Sequence, residues 1–292
     1  MTGARIVGAG PAGVRRPGDR PAGSAAFADP ASSAPVIVLA PAYSGADTLR
    51  SLLAGHPDLA CTSGTGLLPL CEQAMATWRN ADSRPSGQPS ALASAATRSL
   101  ASSIITSILV REGKRRWAEI AAPSPQAART FLRLYPQTRL VCLYRACQGA
   151  IRAALDASPW GITDPVFAPF AAAYPASTVA SLTAYWVTAT GYLLAFEREH
   201  PQSCLRVRFE DLARTQHQTT ENMMAFLGLA GMNDRAVPVQ GTQPQPPPQN
   251  TGPEADVPVH LIPPAMLAQA NDLLRQLSYP TLPAPPSADS TR

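Results

Sequence analysis

The residues best suited to chemistry lie in one stretch, LAPAYSGADTLRSLLAGHPDL at positions 39–59. A short apolar strand, a tight turn carrying Ser44 and Gly45, and then a helix make a device for holding an anion. Glycine lets backbone N–H groups approach the ligand, and the helix N-terminus supplies partial positive charge. Asp47, in the first turn of that helix, is either a cap, a role Ser44 also suits, or a general base. Glu119, close to Trp117, is a second carboxylate that either faces a substrate or is paired structurally. His56, before Pro57, reads as a helix C-terminal cap, and His200, His217 and His260 have surface-like contexts. No nucleophile elbow and no cluster with metal-ligand spacing occurs in the sequence.

The elements that must position these residues follow from the apolar pattern. Strands are expected over 35–40, 116–120, 139–144 and 205–209. Helices are expected over 47–54, 67–78, 91–111, 125–134, 147–157, 176–199, 216–228 and 263–277. Short apolar strands alternating with helices specify an α/β fold, three layers with a mostly parallel central sheet. One domain spans 35–280, preceded by a disordered arm at 1–34 and followed by a disordered tail at 281–292. A Ser/Pro linker at 80–90 and a flexible Pro/Gln-rich loop at 238–258 interrupt it. In such sheets ligands bind at the carboxyl ends of the strands, here the turns after 40, 120, 144 and 209.

Composition closes off other classes. A formal charge of +4 over 292 residues is too small and too scattered for a nucleic-acid surface. No run of 18 uncharged apolar residues occurs, so no membrane span is expected. Five cysteines without CxxC spacing read as reduced core residues of a cytoplasmic protein. Residues 5–14, RIVGAGPAGV, match the GxGxxG dinucleotide fingerprint letter for letter. Arg15, Arg16, Pro17 and Gly18 follow at once, so the helix that the fingerprint needs cannot form.

Four segments, in order across residues 35–280, resemble the sulfotransferase family that uses 3′-phosphoadenosine 5′-phosphosulfate (PAPS). Residues 44–58, SGADTLRSLLAGHPD, resemble the 5′-phosphosulfate loop, commonly R/K-S-G-T-T-L-L followed by H-P-D. Residues 117–123, WAEIAAP, resemble W-x-E-K-T-P, and residues 131–155 resemble the 3′-phosphate segment. Residues 206–229 resemble the R-Y-E-D-L segment and its helix, and 274–280 the C-terminal L-G-Y-P. The resemblance implies the sulfotransferase (P-loop-like) fold. It marks Ser44, Gly45, Ala46 and Thr48 as loop contacts to the anion, Arg145 as an anion ligand and Phe209 as a stacking ring for adenine.

The departures fall on the chemistry. Tyr43 stands where the family has its loop cation, and Ala46 and Asp47 stand where it has two threonines. An aspartate there repels a bound phosphate by on the order of several kcal/mol in low dielectric. Ile120 replaces a lysine, Ala153 replaces a serine, and no Arg or Lys occurs between Arg235 and Arg275 to build the closing basic loop. The expectation is a repurposed enzyme of bacterial specialised metabolism, such as antibiotic biosynthesis, acting on a small molecule that already carries a sulfate or similar ester. Asp47 takes a proton from an internal nucleophile, and Tyr43, Ser44 and Gly45 stabilise the departing sulfate. The product is a ring or an alkene, Glu119 faces the substrate, and no cofactor or metal is required. Two alternatives stay open: an active PAPS-dependent sulfotransferase acting on a small-molecule hydroxyl, and a non-catalytic subunit supporting a protein partner from the same pathway.

Overall fold

A computed structural model describes residues 34–81, 91–158, 164–229 and 257–283. The fingerprint-like stretch at 5–14 and nearly all of the arm, the 238–258 loop and the tail lie outside the described residues.

Five strands form one sheet in the order β2-β3-β1-β4-β5. They are β1 Val36–Leu39, β2 Leu59–Ser63, β3 Arg116–Ala121, β4 Arg139–Tyr144 and β5 Cys204–Arg208. Every pairing is parallel. The connecting helices are α1 Ala46–Ala54, α2 Leu67–Ala81, α3 Ala91–Glu112, α4 Pro125–Leu134 and α5 Cys147–Ala157. They are followed by α6 Ala168–Ala173, α7 Thr178–Glu199, α8 Phe209–Arg214, α9 Gln216–Leu227 and α10 Pro264–Gln276.

The inner strands β1 and β4 are buried on both faces, which is why they read as nearly continuous apolar runs. Val36, Val38, Val141 and Leu143 pack with Leu49 and Leu53 of α1 and Met223 and Leu227 of α9. Ile37, Leu39, Leu140 and Cys142 face the other layer, which includes Phe131 of α4, Ile151 of α5, Leu193 of α7 and Leu274 of α10. These are the three layers expected from the sequence. From β1 the chain turns toward β2, and from β4 toward β5, so the crevice for a ligand opens between the ends of β1 and β4.

Two differences from the sequence reading stand out. Strand β2 was not expected. It is a half-exposed edge strand with no apolar alternation, held in place by register with β3 from Leu59↔Arg116 to Ser63↔Ile120. The chain also bends into α8 directly after β5 rather than leaving a loop there. Among the described residues, α3 and α7 are long and apolar enough to cross a membrane. Burial within the fold accounts for two thirds of the apolar window of α7 and one third of that of α3.

Candidate active site

The turn after β1 keeps the shape of an anion cradle. Ser44 N–H donates to the Pro41 carbonyl at 3.1 Å, and Thr48 N–H to the Gly45 carbonyl at 3.1 Å. Gly45 is the N-cap of α1 with φ +92°, and no side chain caps the helix. The expected capping by Ser44 or Asp47 is therefore replaced by a left-handed glycine. The N–H groups of Gly45, Ala46 and Asp47 have no protein acceptor among the described residues. Ser44 is 2% exposed, and its buried Oγ has no hydrogen-bond partner. An unpaired buried hydroxyl costs about 1–3 kcal/mol, which a bound acceptor would remove.

Tyr43 also has a positive φ, +61°. That conformation turns its carbonyl toward Arg145, whose Nη1 donates to it at 3.0 Å. The Arg145 guanidinium lies 4.3 Å from the centre of the Phe209 ring. The same ring presses on Gly45: a Cβ at that position would sit 2.1 Å from Phe209 Cδ2. Loop, ring and guanidinium thus form one stack drawn from the ends of β1, β5 and β4. Burial lowers the Arg145 pKa, and the charges of Glu210 and Asp156 partly offset it. Trp186 Nε1 donates to the Arg145 carbonyl at 3.0 Å and fixes the backbone.

The two carboxylate candidates are placed differently. Asp47 is 96% exposed at the rim, 3.6 Å from Arg50 Nε. Thr48 is exposed beside it, and Ala46, the first residue of α1, is half-buried. Glu119 is 2% exposed. Its Oε1 accepts from Thr65 N–H and Thr65 Oγ1, both at 2.8 Å, and its Oε2 from Thr62 Oγ1 at 2.5 Å. Those bonds tie β2 and the loop after it to β3, and both oxygens of Glu119 are paired within the fold.

Sequence reasoning missed the wall beside Tyr43. A small cleft, open to solvent and with room for little more than a water molecule, is lined by Tyr43, Phe167, Leu182, Tyr185 and Trp186 among others. Tyr185 Oη accepts Ala42 N–H at 2.8 Å, and burial raises its pKa, so the phenol stays protonated at neutral pH. The aromatic content of 178–199 was the only signal, and within a core helix it carries no spacing motif. Glu210 reaches beyond its own loop: its Oε1 accepts Ala146 N–H at 2.9 Å and its Oε2 accepts Tyr279 Oη at 2.6 Å. His56 N–H donates to the Leu53 carbonyl in the last turn of α1 at 3.1 Å, and its Nδ1 accepts Asp58 N–H at 3.2 Å and shapes the turn into β2. All five cysteines are free thiols.

The family model "Sulfotransferase family" matches residues 35–234. The chain belongs to the sulfotransferase family. A Caenorhabditis briggsae protein provisionally named a protein-tyrosine sulfotransferase is 25% identical over 189 residues, 64% of this chain. The chain spans only 62% of that relative's length. The sulfotransferase domain of the curacin biosynthetic pathway superposes with a TM-score of 0.55 at 15% identity, over 85% of this chain and 99% of that one. The sulfotransferase domain of the Synechococcus PCC 7002 olefin synthase gives 0.50 at 18% identity, over 85% and 95%. At these identities the likeness establishes the sulfotransferase fold.

Proposed function

We propose that this sulfotransferase-family protein acts on a small molecule already carrying a sulfate ester, and expels sulfate as an internal nucleophile closes a ring or a C–H proton is lost to form an alkene. The observation that carries this reading is the buried, unpartnered Ser44 Oγ beside the open N–H groups of Gly45, Ala46 and Asp47. This donor set fits one tetrahedral oxyanion. It does not fit PAPS, which brings two phosphates and a sulfate. Tyr43 gives the loop no cation, and Ala46 and Ala153 give no hydroxyl. Arg145 is the guanidinium in reach of the turn.

In the proposed step the substrate's C–O bond breaks and its electron pair leaves with sulfate, which accepts hydrogen bonds from the turn, Ser44 and Arg145. Asp47, exposed at the rim beside Arg50, takes the proton released by the nucleophile or the carbon. The aromatic wall beside Tyr43 offers the carbon framework an apolar surface. The natural-product setting of the curacin and olefin synthase domains supports a pathway role of this kind. The test is release of inorganic sulfate from a panel of small sulfated amines and alcohols. Turnover that falls at least a hundredfold in Asp47→Asn and in Ser44→Ala supports the proposal; turnover unchanged in Asp47→Asn overturns it.

A second reading, sulfuryl transfer from PAPS to a small-molecule hydroxyl, is favoured by Phe209 and Arg145, which the family resemblance assigns to the nucleotide. Low-micromolar binding of adenosine 3′,5′-bisphosphate would establish it over the first.

A further inference from the structure

The segment after α10 reaches back into the site. Tyr279 is 5% exposed, its N–H bonds the Leu274 carbonyl at 2.8 Å, and its ring lies under the Arg208 guanidinium at 4.2 Å. Three residues on, Leu282 and Asn271 exchange two hydrogen bonds, Leu282 N–H to Asn271 Oδ1 at 2.7 Å and Asn271 Nδ2 to Leu282 O at 3.2 Å. The chain is thereby clipped on both sides of Pro280, and Tyr279 Oη is delivered to Glu210 Oε2 at 2.6 Å. The other oxygen of that carboxylate accepts Ala146 N–H at 2.9 Å. Ala146 follows Arg145 directly, so the bond fixes the peptide that carries the guanidinium.

We propose that Tyr279 and Glu210 are positioning residues that set where Arg145 presents its charge to the anion, making the segment around 277–283 part of the site. The geometry favours positioning over simple packing. Glu210 is spent on one donor from the β4–α5 turn and one from the C-terminal segment, with an oxygen for each. Its negative charge lies near Arg145 and by itself would weaken an anion's hold. Keeping such a carboxylate there makes sense if its orienting effect outweighs its charge. The phenol of Tyr279 is held protonated by burial and by the Glu210 charge, so the relay is intact at neutral pH.

This inference rests on the anion site proposed above, and one experiment separates the two. Inorganic sulfate is titrated calorimetrically into the full chain at constant ionic strength, for wild type, Y279F, E210Q and Y279F/E210Q, with melting temperatures in parallel. Y279F is expected to weaken sulfate roughly tenfold, the scale of losing a partner that orients a ligand from behind. E210Q is expected to weaken it too, although losing the negative charge would by itself tighten it. The double variant should be no weaker than the worse single one, as for residues acting in one chain. An unchanged affinity in Y279F, a tighter affinity in E210Q, or additive losses overturn the relay while leaving the anion site standing. No sulfate binding to wild type overturns both. E210Q keeps the shape of the side chain and answers the question if Y279F fails to fold.

Discussion

Replacing Gly45 by alanine should destabilise the protein by roughly 2–4 kcal/mol. The backbone there has φ +92°, and an L-residue in the left-handed region costs about 1–2 kcal/mol. The added Cβ would lie 2.1 Å from Phe209 Cδ2 and 2.3 Å from Cε2, so the ring must move. Moving it breaks the stack with Arg145, worth about 1 kcal/mol at a partly buried site. For a domain of this size the sum corresponds to a fall in melting temperature of roughly 4–16 °C. Gly64→Ala is the internal control: its φ is +70°, but nothing lies within 4 Å of the new Cβ. It carries the conformational cost without the clash. Gly45→Ala combined with Phe209→Ala should cost less than the two single losses added, because removing the ring removes the clash. Thermal unfolding of these variants reads the difference. Equal losses for Gly45→Ala and Gly64→Ala would refute the stack.

Ser44→Ala should leave the melting temperature unchanged or raise it, because it removes an unsatisfied buried hydroxyl, while calorimetry shows sulfate affinity weakened roughly tenfold. Glu119→Gln should destabilise by about 3 kcal/mol in urea unfolding, since an amide nitrogen replaces an acceptor facing Thr62 or Thr65 in a buried position. Asp47→Asn should leave stability within about 0.5 kcal/mol, its carboxylate being exposed, and remove turnover alone. Stability should also fall as pH rises above about 9. Burial pushes Cys61 up to about 12 and Cys71 to about 11, and raises Tyr144 and Tyr279 as well. The folded chain keeps protons that the unfolded chain releases near pH 8.5–10, roughly 1.4 kcal/mol per pH unit for each such group. Urea unfolding from pH 8 to 11 checks the slope; a flat profile would contradict it.

The strands and long helices were legible because each buries apolar residues continuously or on a helical period. β1, β4 and β5 were found to within two residues at each end, and α4 and α5 to the residue. β2 was not, because an edge strand takes its conformation from β3 rather than from its own sequence. The turn at Ser44 and Gly45 was legible as an anion cradle because a strand, a glycine and a helix in that order leave few other shapes. What the site's side chains touch was not. Glu210 meets a tyrosine 69 positions away, and Phe209 lies across Gly45 only because the ends of β1 and β5 come together. The same limit applies to Glu119, whose threonine partners come from an unforeseen strand and the loop after it.

The decisive comparison is a calorimetric titration of the full chain with inorganic sulfate and, separately, with adenosine 3′,5′-bisphosphate. A site built for one oxyanion binds the two within about threefold of each other, and Ser44→Ala weakens both. Low-micromolar binding of the nucleotide, far tighter than sulfate, would contradict it and return the protein to PAPS-dependent sulfuryl transfer.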